Sequence, residues 1–119
     1  MINYQNLFTL NHKIAIYIPS TYNINESIPE AIHQKWVDEA ATLLSESFGG
    51  ATATKCMGYW VSDTKGLVKE HPTMVFAYCK ESDLQLNIDD IVDFARLMNK
   101  ELKQDAIGLE LDNKMGFIA

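Results

Sequence analysis

The chain has 119 residues, of which 47% are hydrophobic and 22% charged, and these values are typical of a single globular domain with its own core. The net charge is −6 and Arg96 is the one arginine of the sequence, which argues against the clustered basic surface that direct nucleic-acid binding needs. Its apolar runs fall well short of the roughly 18 residues of a membrane span, and residues 1–10 lack the pattern of a signal peptide. We therefore predict one domain over residues 1–119, located in the cytoplasm, with no direct contact to nucleic acid or membrane.

The first part of the chain predicts a strand followed by a helix. Residues 1–11 favour an N-terminal arm or a short edge strand. Apolar side chains alternate over residues 13–18, which indicates a strand that ends at Pro19. Residues 27–30 have the form of a helix-capping box. Apolar side chains then recur at helical spacing until the pair Gly49-Gly50 ends the helix.

The middle of the chain predicts a long β-hairpin. Residues 51–61 and 67–79 alternate as strands on either side of a turn at residues 62–66. Gly58 suggests a bulge in the first strand or close packing of another backbone, and Pro72 requires an edge or a bulge in the second because it has no N–H to donate.

The register of this hairpin bears on the two cysteines. A turn near Thr64 places position 72 opposite Cys56, well away from Cys79. We therefore expect two buried thiols and no disulfide in this chain.

The last part of the chain predicts a second helix and a final strand. The helix begins near Asn87 after a connector over residues 80–86, and residues 106–118 form a strand that the turn at residues 112–114 can double back as a small hairpin. The order of elements predicts an α+β fold, the ferredoxin-like β-α-β-β-α-β sandwich, in which two helices cover one face of an antiparallel sheet.

The other face of the predicted sheet carries large aromatic side chains. A solvent-facing surface of this kind usually lies against a partner, so we predict a homodimer. The sheet aromatics are Tyr17, Tyr59, Trp60, Phe76 and Tyr78.

The best candidate for catalysis is the pair Glu70 and His71, next to Trp60 across the hairpin. A carboxylate beside an imidazole can orient a general base. Adjacent residues of a strand point to opposite faces, however, so an exposed structural pair is the favoured interpretation. His12 and His33 have no ligand partner at metal-binding spacing, and we expect neither a metal nor a cofactor.

A run of acidic residues lies at the start of the second helix and before it. One interpretation is that negative charge stabilises the helix N-terminus. The other is an acidic face that mimics nucleic-acid phosphates and occupies a basic protein partner. The residues are Glu81, Asp83, Asp89, Asp90 and Asp93.

At residues 48–52, Phe-Gly-Gly-Ala-Thr, followed by Gly58, Trp60, Gly66 and Glu70, the chain resembles small uncharacterised bacterial proteins of the ferredoxin-like type that phages and plasmids often carry. The resemblance covers residues 14–118. It implies the fold and a mobile-element setting, and it supplies no catalytic residue.

Two functions follow as predictions. The first is a non-enzymatic protein-binding module, in its specific form a mobile-element inhibitor of host defence similar to an anti-CRISPR protein, with the acidic helical faces as contact surface. The alternative is a cofactor-free enzyme or small-ligand-binding protein of the dimeric α+β barrel type. Its pocket is expected between sheet and helices, lined by Tyr17, Tyr59, Trp60 and His71.

Overall fold

The alternating segment near the start of the chain becomes the central strand of a sheet in the computed structural model, which describes residues 7–119. The five-stranded sheet has the order β4-β7-β1-β8-β9, and each of these neighbouring pairs is antiparallel. Two short ribbons, β2-β3 and β5-β6, lie outside it. The strands are β1 (His12–Ile18), β2 (Thr21–Asn23), β3 (Glu26–Ser27), β4 (Thr52–Lys55), β5 (Gly58–Ser62), β6 (Gly66–Glu70), β7 (Thr73–Cys79), β8 (Ile107–Leu111) and β9 (Lys114–Ile118), and the helices are α1 (Glu30–Phe48) and α2 (Glu81–Leu102). The architecture is α+β and compatible with the predicted ferredoxin-like sandwich.

One face of the sheet forms the core with both helices. Ile14, Ile16 and Ile18 of β1 are at most 1% exposed, because alternate residues of a strand share a face. The two helices meet where the rings of Trp36 and Phe94 lie 5.7 Å apart between centroids. Neither helix combines the length and apolarity that a membrane crossing needs over the described residues.

Both helices begin at residues that differ from the prediction. Helix α1 has Pro29 as its N-cap without a side-chain hydrogen bond, so the predicted capping box is wrong. Ser27 is instead paired with Thr21 in the β2-β3 ribbon. Helix α2 begins at Glu81 rather than near Asn87, because buried Leu84 extends its apolar stripe toward the N-terminus.

The central hairpin keeps the predicted register from end to end. Thr52 lies opposite Phe76 in the sheet, and Ser62 lies opposite Gly66 at the turn, so no residue is inserted and the bulge predicted at Gly58 is wrong. The strands are nevertheless divided, because Pro72 cannot donate to the ladder. The N–H of Cys56 donates to the Pro72 carbonyl at 2.8 Å across the break.

The cysteines and the N-terminal arm differ in part from what the sequence predicts. Cys79 is buried, whereas Cys56 is half-buried rather than buried. Residues 1–6 of the predicted arm lie outside the described residues, and residues 7–11 form no strand.

The outer face of the sheet carries part of the predicted aromatic set. Tyr17, Phe76 and Tyr78 lie on this face, and Phe117 of β9 adds a ring that is 72% exposed. Tyr59 and Trp60 lie on the β5-β6 ribbon instead. The homodimer inferred from this face stays a prediction.

A charged cluster around His12 connects β1, the start of α2 and the turn after β8 at one end of the sheet. Its Nε2 lies 2.9 Å from Glu81 Oε2 on α2, and its Nδ1 lies 3.1 Å from Asp112 Oδ2 in the turn after β8. Hydrogen bonds to Asp112 and Glu81 raise the pKa of His12 above its ordinary value of 6.5. The N–H of Lys13 and the His12 ring lower the pKa of Asp112 below its usual 3.8.

We predict that His12→Asn removes a pH-dependent part of the stability. Because the pKa of His12 is raised on folding, its contribution is full below pH 6.5 and is lost as pH rises through the folded pKa. The contribution of Asp112 is lost only as pH falls through its lowered pKa. Melting temperatures of both proteins, measured at several values between about pH 5 and 8, should therefore differ most at the acidic end.

His71→Asn is the control, because it replaces an exposed imidazole elsewhere in the fold. A difference between wild type and His12→Asn that stays constant across this range would show that the His12 cluster does not act through its charge.

Candidate functional site

A turn at residues 19–21, directly after β1, is held by a buried histidine. His33 of α1 is 5% exposed, and its Nδ1 lies 2.8 Å from the Pro19 carbonyl oxygen. Its Nε2 lies 2.8 Å from Thr73 Oγ1 on β7. Since a carbonyl only accepts, Nδ1 carries a proton and donates it to Pro19, and Nε2 shares a hydrogen bond with the Thr73 hydroxyl.

The next two residues of the turn reach the central hairpin. Ser20 Oγ accepts a hydrogen bond of 2.9 Å from the N–H of His71. Thr21 Oγ1 donates to Glu70 Oε1 at 3.3 Å. Gln104, beyond α2, donates to the Thr21 carbonyl at 2.8 Å. The turn therefore connects α1, the end of α2 and the carboxylate of Glu70.

Glu70 also contacts the aromatic ring predicted to lie near it. Trp60 Nε1 donates to Glu70 Oε1 at 3.2 Å. Trp60 pairs with Val68 and Gly58 pairs with Glu70, so the indole reaches its acceptor diagonally across the ribbon. One carboxylate oxygen of the half-buried Glu70 thus accepts from both Trp60 and Thr21.

Two cavities lie beside Glu70, and this residue lines both. The polar cavity has a volume of about 260 Å³ and is lined by Ser20, Thr21, Ser27, Ile28, Glu30, His33, Lys55, Lys69, Glu70, His71 and Thr73. The aromatic cavity has a volume of about 250 Å³ and is lined by Tyr17, Pro19, Glu70, Pro72, Ala106, Ile107, Gly108, Met115 and Phe117.

The four residues predicted to share one pocket between sheet and helices do not do so. Tyr17 lines the aromatic cavity and His71 the polar cavity. Trp60 reaches Glu70 from the ribbon, and Tyr59 is 56% exposed with its hydroxyl 2.6 Å from Met57 Sδ. The single predicted pocket is wrong, because alternate strand residues point to opposite sides and the ribbon lies outside the main sheet.

The predicted acidic contact surface is not uniformly free. Glu81 contacts His12, and Asp93 Oδ1 lies 3.9 Å from a guanidinium nitrogen of Arg96. Asp83 is half-buried, whereas Asp89 and Asp90 are exposed. A partner-binding role for these five carboxylates stays a prediction.

Sequence reasoning did not place His33 or Gln104 in the site. Of these residues, only His33 could have been recognised from the spacing of apolar residues in the sequence. His33 lies three residues before Trp36 and four before Val37. These spacings place it in the same buried stripe of α1 as those two residues. A histidine in this stripe is buried and therefore needs hydrogen-bond partners, which Pro19 and Thr73 supply.

No protein-family model and no curated protein matches this chain. Two solved structures are similar to it. One is a phage SAM lyase in complex with S-methyl-5'-thioadenosine, with a TM-score of 0.63, 11% identity and coverage of 95% of each chain. Another is a phage SAM lyase in the apo state, with a TM-score of 0.62, 12% identity and coverage of 97% of this chain and 94% of that one. At these identities the likeness establishes the fold.

These likenesses correct the functional prediction. The prediction of a non-enzymatic protein-binding module is contradicted, because both similar structures are enzymes. Both come from phages, which supports the phage association that the sequence resemblance implied. They give no support to the specific pattern of glycines and aromatics on which that resemblance was based.

We predict that His33→Ala lowers the free energy of unfolding by about 2–4 kcal/mol, because it leaves the Pro19 carbonyl and the Thr73 hydroxyl without their partner. Urea denaturation measures the loss. Glu39→Ala, an exposed change on the same helix, is the control and should stay within about 0.5 kcal/mol of wild type. Equal losses in the two variants would show that the His33 contacts do not stabilise the turn.

Proposed function

We propose that this chain is a lyase on a ferredoxin-like scaffold that cleaves SAM, S-adenosylmethionine, at its sulfonium group and releases S-methyl-5'-thioadenosine. The observation that carries the proposal is the position of Glu70. A carboxylate held by two donors stands between two cavities, in a fold that matches two SAM lyases over nearly the whole length of each chain.

The chemistry of the site suits a sulfonium substrate. Sulfonium is a cation, and cations bind next to carboxylates and over aromatic faces. Glu70 supplies the carboxylate, and Trp60 places an indole beside it. The net charge of −6 attracts a cationic ligand to the molecule as a whole.

The proposed reaction breaks the bond between the sulfonium sulfur and the γ-carbon of the amino-acid part. The electron pair of that bond goes to sulfur, which becomes a neutral thioether. The four-carbon fragment is completed in one of two ways, neither of which consumes water. Either a base removes a β-proton and a carbon–carbon double bond forms, or the fragment's own carboxylate attacks the γ-carbon and closes a lactone.

Glu70 has a defined part in each route. In the elimination it is the base that accepts the β-proton. In the ring closure it holds the sulfonium in position while the substrate carboxylate attacks. The amino-acid product distinguishes the two routes, because the first gives an unsaturated amino acid and the second a lactone.

We predict that Glu70→Gln lowers the rate of SAM cleavage by about 100-fold or more, because the amide keeps the shape of the side chain but neither accepts a proton nor carries charge. The assay separates S-methyl-5'-thioadenosine from SAM by liquid chromatography and follows it over time. Glu101→Gln, an exposed change on α2, is the matched control and should retain the wild-type rate.

Trp60→Phe gives a graded test of the same site. It keeps an aromatic ring and loses the N–H that donates to Glu70, so we expect a loss of roughly 3- to 10-fold in rate, as for one hydrogen bond. A wild-type chain that releases no thioadenosine above the uncatalysed rate refutes the lyase. Full activity in Glu70→Gln refutes the role of Glu70 but not the lyase activity.

A further inference from the structure

We propose that the two cavities divide the substrate between them, so that the aromatic cavity binds the adenosine end, the polar cavity binds the amino-acid end, and the sulfonium lies at Glu70. This inference rests on the proposed function and adds to it which residues recognise each end of the ligand. It starts from the fact that Glu70 is common to the linings of both cavities.

The sizes of the cavities favour a shared ligand. Volumes of about 260 and 250 Å³ both fall below the roughly 300 Å³ at which single pockets begin to enclose a drug-sized molecule. Lys69 and His71 line the polar cavity and not the aromatic one, whereas Glu70, between them in the chain, lines both. A ligand that fills both cavities must therefore pass Glu70.

The polar cavity matches the zwitterionic end of an amino acid. Lys55 and Lys69 bring positive charge to its lining, and Glu30 and Glu70 bring negative charge. An α-carboxylate and an α-ammonium group need both signs within one small site. The hydroxyl of Ser20 adds a neutral hydrogen-bonding group to the same wall.

The aromatic cavity matches a flat base and its ribose. Tyr17, Phe117 and the thioether of Met115 line it, and Glu70 is its one acidic residue. Rings and thioether sulfur pack well against an aromatic base. Burial and the negative charge of Glu110 raise the pKa of Tyr17, which keeps its hydroxyl protonated as a donor.

Gly108 keeps the aromatic cavity open. A Cβ at this position would lie 3.4 Å from Met115 Sδ and 3.5 Å from Tyr17 Cδ2. A larger side chain would therefore push into the space between these two groups, and Gly108→Val is expected to obstruct the cavity.

The test uses two uncleaved thioethers and calorimetric titration of the full chain. S-adenosylhomocysteine carries both ends of the ligand, whereas S-methyl-5'-thioadenosine lacks the amino-acid end. The double variant Lys55→Gln, Lys69→Gln should weaken binding of the homocysteine compound by at least about tenfold and change that of the thioadenosine by less than about twofold. Gly108→Val should weaken both by at least about tenfold.

Two further variants keep the test decisive. Phe117→Ala removes a wall of the aromatic cavity at an exposed position, so it probes the same cavity if Gly108→Val does not fold, and it should weaken both compounds. The double variant Lys80→Gln, Lys100→Gln removes two exposed lysines outside both cavities and should bind both compounds as wild type does.

Equal weakening of both compounds by the cavity lysine variant would overturn the division of the substrate, and so would unchanged thioadenosine binding in Phe117→Ala. A wild-type chain that cleaves SAM but binds neither thioether overturns the division of the substrate between the two cavities but not the lyase activity. A chain that binds both compounds in the expected pattern but releases no product from SAM overturns the lyase and leaves the binding assignment standing.

Discussion

The hydrogen bond from His33 to the Pro19 carbonyl is the contact on which the candidate site depends. Strand β1 ends at Ile18, and the first carbonyl beyond it needs a partner, because an unpaired backbone group inside a protein costs free energy. Helix α1 supplies that partner as a buried imidazole whose other nitrogen is fixed by Thr73. With Pro19 held, the next residue meets the N–H of His71 and the one after it meets the carboxylate of Glu70.

A second constraint, the missing N–H of Pro72, determines the position of Glu70. The proline interrupts the hairpin ladder between β6 and β7. The bond from Cys56 to its carbonyl holds the register across the gap. The outer half of the hairpin, β5 and β6, can then form a ribbon separate from the main sheet without a change of register. Glu70 is the last residue of β6 and lines both cavities.

Local patterns in the sequence were enough for both helices, for every strand except the short β2 and β3, and for the hairpin register, because alternation at residues 13–18 and the turn near Thr64 are short-range signals. They were weaker at helix starts, where Pro29 replaced the expected cap and polar residues masked the first turns of α2. The site was predicted only in part. The neighbourhood of Glu70 and Trp60 follows from hairpin geometry, but Thr21 and Gln104 are far apart in the chain and only the tertiary fold joins them.

The negative net charge of the chain has a different consequence for a cationic substrate than for a basic protein partner. A negative field around the molecule raises the local concentration of a sulfonium compound. In the proposed reaction, cleavage converts the sulfonium to a neutral thioether, so the attraction to Glu70 and to the net charge of −6 would end with the reaction. Aromatic walls add to this difference, because they bind a cation by its charge and a neutral product only by contact area. Under the proposed function, the electrostatic attraction that favours binding of the substrate would therefore not retain the product.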